Sequence, residues 1–569
     1  MPSLSKKTNS YFFCFILSVI ASLIFYLANP NPLIKNGIGA FGFLIYLPVF
    51  FIVKKADFKT VWFFGGLYGS LSYGLYAFWL HNFNSWGIFL VCFAYFYIMA
   101  VLFLLLKVID KLFVKNAWIV QALLICSYEY VKTLGFLGFS YGVSAYTQWR
   151  NTYFIQICDL IGVFGLNFFI IFPSSFIYSF IDKSGMRSHL LNTEHFEKGI
   201  ENLSTLSHYV KKEKALKLTD LRLTFISLIL WVLCMIFIYI YGYVDIKGKK
   251  NNSRHQSVKV LAIQNNEDPW KNGIDEYAKN IQNSKNLTEE AFELNPDIDF
   301  VIWSETSVVP SILYHYYKIQ DTRRFNLVYS LLNYIENKNA VFVIGNGHEE
   351  DSDEGKKLYN SVQVYEPGQN VIPPEPDLYF KKHLVPLSES FPYKKQFPLI
   401  YKILSSGNNH LWEKGNEYKV FNYKGLAFST PICFEDTFGE DCRHFVEKGA
   451  RCFFTLSNDG WSKSRACQYQ HLAIAVFRSV ENRVPSVRST ATGESCIIDQ
   501  NGKIKNMAED FCQSYVIGDV DLLDSSFRTS IYTLYGDFCG KGEILLLTII
   551  LIIQILNVII KKIKNLRNN

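Results

Sequence analysis

Long apolar runs with short polar breaks fill the first 245 residues and return in the last 30. The stretch between alternates short β-rich runs with amphipathic helical ones. A spanning helix takes roughly 20 consecutive, mostly apolar residues. Seven segments approach that length before the central stretch, near 11–27, 34–53, 61–80, 86–109, 117–134, 154–181 and 223–244, and an eighth follows near 543–560. The fifth is the least apolar, since it carries Glu129 and Lys132; an ionisable residue inside a span is a candidate functional site or has a polar partner on another helix. Lys6 and Lys7 would suit a secretory leader, but the run behind them is long and no small-residue cleavage site follows, so a retained helix is predicted.

Charge then gives orientation. Lys and Arg crowd the loops at Lys54/Lys55/Lys59 and Lys107/Lys111/Lys115, the loop 182–222 and the tail at Lys561/Lys562/Lys564/Arg567, while the alternate loops are nearly free of them. By the positive-inside rule the rich loops and both termini are cytoplasmic. The predicted organisation is a transmembrane domain over 1–244 with a cytoplasmic loop at 182–222, an outer domain over 245–541, and a last helix with a basic tail over 542–569. Half the chain is apolar and 19% is charged, and the net charge of +7 needs no nucleic-acid partner to explain it. Seven of the twelve cysteines fall in the outer domain, an odd number that leaves at least one unpaired. No Cys-x-x-Cys pair with a companion offers a zinc site, and neither metal nor cofactor is expected.

Within 245–541, strands are predicted at 258–263, 300–303, 341–345, 361–365, 426–430 and 452–456, and helices at 274–294 and 468–480. This alternation points to an α/β sandwich. Three short segments each set a reactive residue at the end of a β-rich run, the edge where sites form in open α/β sheets. Glu305 closes Phe300-Val-Ile-Trp-Ser-Glu305 and can act as a general base; taken alone, such a residue is more often a solvated strand-end carboxylate. Lys381 and Lys382 follow Tyr379-Phe380, and a lysine there can stabilise an oxyanion or be plain surface charge. Cys433, in Pro431-Ile432-Cys433-Phe434-Glu435-Asp436, can be an exposed nucleophile or a buried structural thiol. The two acids behind it would raise its pKa unless Lys381 offsets them.

Taken together, these segments resemble the nitrilase superfamily, with its Glu–Lys–Cys order, and within it the apolipoprotein N-acyltransferases. Tyr379-x-Lys381-x-His383-Leu384-Val385-Pro386 resembles that family's lysine motif and selects Lys381 over Lys382. Glu389 matches an additional glutamate three residues after the proline. Leu456-Ser457-Asn458-Asp459-Gly460-Trp461 resembles its S-N-D-x-W element, followed in order by Gln470-His471, Arg478, Glu481-Asn482-Arg483, Arg488-Ser489-Thr490 and Tyr535-Gly536-Asp537. In the membrane half, Gly135-Phe136-Leu137-Gly138-Phe139-Ser140-Tyr141-Gly142 resembles its Gly/Phe-rich outer loop. The chain also departs from the pattern. Phe434 stands where the family carries Tyr, Leu387-Ser388 replaces Phe-Gly, and in Gln264-Asn265-Asn266-Glu267-Asp268-Pro269-Trp270 an Asn replaces a Gly.

The resemblance implies a multi-pass α-helical membrane domain of about eight spans plus an extracytoplasmic α/β nitrilase-like αββα sandwich, in the inner membrane of a bacterium with the sandwich on the periplasmic side. It implies a catalytic triad of Glu305, Lys381 and Cys433, supporting roles for Glu389, Glu435, Phe434 and Trp461, and substrate contacts from Trp270 and His383. The implied reaction moves an acyl chain from a phospholipid donor, through a Cys thioester, to a diacylglyceryl-modified apolipoprotein. The segments 308–317 and 397–404 read either as apolar arms at the membrane interface or as buried helices. Two rival readings share the triad or descend from it: a membrane-anchored amidase, and a lipoprotein-binding protein that has lost catalysis.

Overall fold

The computed structural model describes residues 2–568 apart from 84, 114, 185–202, 251–255, 320, 353–354, 405–410 and 523–528. The greater part of the predicted loop 182–222 therefore lies outside the residues whose side chains are described.

Five described helices are long and apolar enough to cross a membrane: Ser10–Ala28, Gly87–Leu112, Cys158–Asp182, Arg222–Gly248 and Phe538–Arg567. The other three predicted spans come out shorter. The region 34–53 breaks into Gly39–Gly42 and Leu47–Lys55, with a proline at the start of the second piece, where its missing N–H costs nothing. The third becomes Val61–Tyr76 and the fifth Ala117–Val131. Glu129 is fully buried in the last of these and accepts hydrogen bonds from Tyr46 Oη (2.5 Å), the Ser144 N–H (2.8 Å), Ser144 Oγ (2.7 Å) and Asn167 Nδ2 (2.8 Å). It ties three membrane segments together.

The central part of the chain holds twelve strands among the described residues: β1 (Ser257–Gln264), β2 (Phe300–Val308), β3 (Val341–Ser352), β4 (Gly355–Tyr365), β5 (Asp377–Phe380), β6 (Phe421–Tyr423), β7 (Leu426–Ser429), β8 (Cys452–Ser457), β9 (Ser486–Thr490), β10 (Cys496–Ile498), β11 (Ile504–Met507) and β12 (Ser514–Asp521). They form two six-stranded sheets, ordered β12-β1-β2-β3-β4-β5 and β11-β10-β9-β8-β7-β6. Apolar side chains from both sheets, such as Phe300, Val343, Phe428 and Phe454, share one core. Helices Ile274–Leu294 and Thr322–Glu336 cover the outer face of the first sheet. On the second sheet lie Gly439–Glu447 and Arg465–Asn482, which completes the four αββα layers.

Helix Arg465–Asn482 is buried on every side. Its apolar residues, among them Leu472, Val476 and Phe477, belong to the same cluster as Tyr76, Tyr146, Phe154 and Ile170 of the membrane half. A helix apolar or internally paired all round is one enclosed by protein. The sandwich is thus packed onto the membrane helices by a continuous core. All twelve cysteines are free.

Candidate active site

The three predicted reactive residues converge between the sheets' carboxyl ends. At Glu305 the β2–β3 pairing breaks between Trp303 and Val308, and Thr306 has φ 51°. This bulge turns the carboxylate out of the strand's regular alternation. It depends on Gly345 in β3, where a Cβ would come 2.5 Å from Ser304 O and 2.7 Å from Glu305 Cα. Lys381 follows β5 directly, with its own N–H bonded to Asn360 O (2.8 Å) and its carbonyl accepting from the Gly415 N–H (2.9 Å). Cys433 opens the short helical turn Cys433–Thr437 after β7 with φ 49°, a conformation that a non-glycine residue adopts only when its surroundings hold it there.

Glu305, Lys381 and Glu389 form one buried ionic cluster. Lys381 Nζ donates to Glu305 Oε1 (3.3 Å) and Glu389 Oε1 (2.8 Å), and Glu389 Oε2 accepts the Val385 N–H (2.8 Å). Asn360 Nδ2 (2.8 Å) and the Asn458 N–H (3.0 Å) complete the shell of Glu305. Burial pushes the Glu305 carboxyl up, opposed by Lys381, as suits a base that must exchange protons. Burial works against charge on Lys381, but the Glu305 and Glu389 carboxylates outweigh it and hold the ammonium well above its usual range. The Cys433 thiol is pushed well up by burial and by Glu305, with Lys381 pulling it down. As the structure stands, the sulfur is a thiol beside an available base, able to become a nucleophile as its proton leaves.

The supporting residues divide by what they touch. Glu435 Oε1 accepts from Tyr379 Oη (2.8 Å) and the N–H groups of Lys382 (2.6 Å) and His383 (3.0 Å), while Oε2 accepts from the Ile432 N–H (2.7 Å). It pins the lysine loop to the cysteine turn. Burial pushes its carboxyl up to about 7 against the backbone donors. Phe434 packs edge-on against Phe438 (4.9 Å) and joins the core shared with the membrane half. His383 stacks on Phe438 (3.8 Å), and its Nδ1 lies 2.8 Å from Asp441, so these partners hold its ring in place. Trp461 stands 5.5 Å from Trp79 and 5.4 Å from Phe83, and Phe83 stands 6.0 Å from Trp270, whose ring is 45% exposed.

Residues without a role in the sequence reading also meet here. Asn360 and Asn458 fix Glu305, as above. Buried Glu267 accepts from Asn265 Nδ2 (3.0 Å) and Asn458 Nδ2 (3.2 Å). His471 sits between Asp436 and Asp459, and Tyr141 of the outer loop lies 6.1 Å from its ring. Two signals pointed to them: Asn458 and Asp459 directly follow β8, as Lys381 follows β5, and Asn458, Asp459, His471 and Tyr141 lie in segments that resemble the family's motifs. The apolar stretches at either side of the site are mixed: Ile312 is buried, whereas Val309, Tyr317, Phe397 and Leu399 are exposed.

Comparison with known proteins gives two family matches: "Carbon-nitrogen hydrolase" over residues 267–526 and "Apolipoprotein N-acyltransferase N-terminal domain" over 17–176. The chain is 36% identical to "Apolipoprotein N-acyltransferase 1" of Treponema denticola, over 96% of each chain. It is 34% identical to the Treponema pallidum protein of the same name over 92% of each, and 29% identical to "Apolipoprotein N-acyltransferase" of Borreliella burgdorferi over 92% of each.

Proposed function

The chain belongs to the apolipoprotein N-acyltransferase family, and from that premise we propose that it draws its acyl group from a phospholipid and carries it on Cys433 to the α-amine of a lipoprotein's diacylglyceryl-cysteine. It is a membrane-embedded acyltransferase that N-acylates lipoproteins. The amidase and the degenerate binder are not favoured, since relatives matched along nearly the whole chain carry the acyltransferase name.

In the first half-reaction Glu305 takes the Cys433 proton as the sulfur bonds to the donor's ester carbonyl carbon. Lys381 stabilises the resulting oxyanion. The C–O bond to glycerol then breaks, Glu305 returns the proton to the departing oxygen, and lysophospholipid leaves a thioester behind. In the second half-reaction the neutral amine attacks that carbonyl and Glu305 accepts its proton. The C–S bond breaks, the amide forms and the proton passes back to sulfur. Glu389 keeps Lys381 aimed. Trp270, Phe83 and Trp461 supply an aromatic wall for the incoming chains.

What carries this reading is that side chains flanking the site, Phe434 next to Cys433, Val385 after Lys381, and Trp461, pack in one apolar core with the membrane helices. Acyl chains are worth about 0.8 kcal/mol per buried CH₂ in the bilayer, so substrates that enter sideways avoid that cost. The Lys and Arg distribution supports an inner-membrane topology with the sandwich on the periplasmic face. The test is intact-mass analysis of the purified protein after incubation with phospholipid alone. A fatty-acyl adduct labile to hydroxylamine is expected, and none in Cys433→Ala. An adduct that persists in Cys433→Ala would overturn the assignment.

A further inference from the structure

His471 lies on helix Arg465–Asn482, fully buried, with Nε2 2.7 Å from Asp436 Oδ1 and Nδ1 2.7 Å from Asp459 Oδ2. A ring with carboxylate oxygens at both nitrogens donates from both, and an imidazole that donates from both is a cation. Cys433 Sγ, a carboxylate oxygen of Asp459 and a ring nitrogen of His471 all lie within 4.8 Å of one another. Such a trio can suggest a metal site, but both nitrogens are already engaged by carboxylates and the ring has no lone pair to offer.

The charges around the sulfur need this cation. Glu305 and Asp459 both disfavour a thiolate at Cys433. Lys381 opposes them, but it is already shared by Glu305 and Glu389. Arg488 is bound to the second oxygen of Asp436. Beside the ring itself, Asp436 and Asp459 are matched by Arg488 and His471, with His471 the partner left to Asp459. The other groups nearby are Tyr141, Ser457 at the end of β8, Cys467 one turn back on the helix of His471, and the buried carboxyl of Glu494, which faces Cys467 and Arg488.

We propose that His471 is a positioning residue for the reaction: clamped as an imidazolium by Asp436 and Asp459, it cancels the carboxylate charge facing Cys433 and keeps the thiolate accessible. The clamp is strong enough that, against the burial that would lower it, Asp459 and Asp436 hold the imidazolium up to about 9. The inference rests on Cys433 as the acyl-carrying nucleophile, and the test separates the two claims.

The rate of iodoacetamide alkylation at Cys433 is followed against pH in the full-length protein, with peptide mapping to isolate that site. In His471→Gln the midpoint moves to higher pH by about one unit, a tenfold loss of thiolate at a given pH below it, and acyl-adduct formation slows in parallel. In Asp459→Asn it moves to lower pH. The double variant returns toward the wild-type profile, which a merely structural role would not produce. Profiles that superimpose for wild type and His471→Gln, or a double variant displaced further than His471→Gln, would overturn the proposal. If His471→Gln does not fold, the imidazole nitrogen chemical shifts of His471 in the wild-type protein decide: both ring nitrogens protonated at pH 7 uphold the clamped cation, and a neutral tautomer at pH 7 refutes it. Acyl adduct in Cys433→Ala would instead overturn the nucleophile reading.

Discussion

Glu435→Ala removes the acceptor for four donors at once: Tyr379 Oη and the main-chain N–H groups of Lys382, His383 and Ile432. A buried donor left unsatisfied costs roughly 1–3 kcal/mol, so the three N–H groups alone lose roughly 3–9 kcal/mol if they add, against a typical total stability of roughly 5–15 kcal/mol. Glu435→Gln is the milder probe. Its amide oxygen can keep the three bonds now made by Oε1, while its NH₂ turns a donor toward the Ile432 N–H. One lost bond of about 2 kcal/mol corresponds to a drop of roughly 3 °C in melting temperature for a domain of about 300 residues. Measurements belong at pH 8, above the value of about 7 to which burial pushes this carboxyl, so that the comparison is with the anion. Melting in detergent and acyl-adduct formation are followed together. The expected result is that Glu435→Gln melts lower but still forms adduct within about tenfold of wild type, while Glu435→Ala loses both, because Lys382 and His383 flank Lys381. The pinning role fails if Glu435→Ala melts like wild type, or if Glu435→Gln melts like wild type and forms no adduct.

Two further substitutions probe how the site is held. Arg483 Nε donates to buried Asp159 (2.7 Å) in a part-buried pair that Tyr241 completes from another membrane helix; Arg483→Ala takes the cation from that carboxylate and should cost roughly 1.5–3 kcal/mol, read as an earlier melt that Asp159→Asn in the same chain partly restores. Gly345→Ala forces a Cβ into the Glu305 backbone 2.5–2.7 Å away, so adduct formation should fall at least about tenfold, the loss that a 1.4 kcal/mol rise in barrier brings, with pre-acylated enzyme also slowed in the amine step; an unchanged rate would show that the bulge does not aim Glu305.

Six strands were legible, because β1–β4, β7 and β8 carry short apolar runs that the sheets bury, and Glu305, Lys381 and Cys433 each close a β-rich run; β5, β6 and β9–β12 were not read as strands. The second predicted span was less legible, because hydropathy counts residues and ignores the proline and glycines that break 34–53 into two pieces. Glu435 was readable only as a charge next to a thiol. Its side chain turns instead to main-chain donors on a loop some fifty positions earlier. The bulge at Glu305 depends on a glycine in the neighbouring strand, and no local pattern around Glu305 contains it.

Helix Arg465–Asn482 makes the same point most sharply. Its Gln468, Gln470, His471, Arg478 and Glu481 are polar or charged, yet every one is buried. Gln470 bridges Trp79 Nε1 (2.9 Å), Pro30 O (2.9 Å) and Tyr76 O (3.1 Å), all in the membrane half. Glu481 pairs with Arg478 (3.0 Å) and accepts the Val163 N–H (3.1 Å). Polar groups at such cost in burial persist only where partners are fixed, and here the partners come from both domains. One turn of this helix faces Cys433 through His471 while the next ones are bolted to the membrane helices. The position of the nucleophile relative to the bilayer is therefore set by hydrogen bonds as well as by apolar packing. Loosening the helix at its membrane end should disturb the sulfur's charge balance before it unfolds the sandwich.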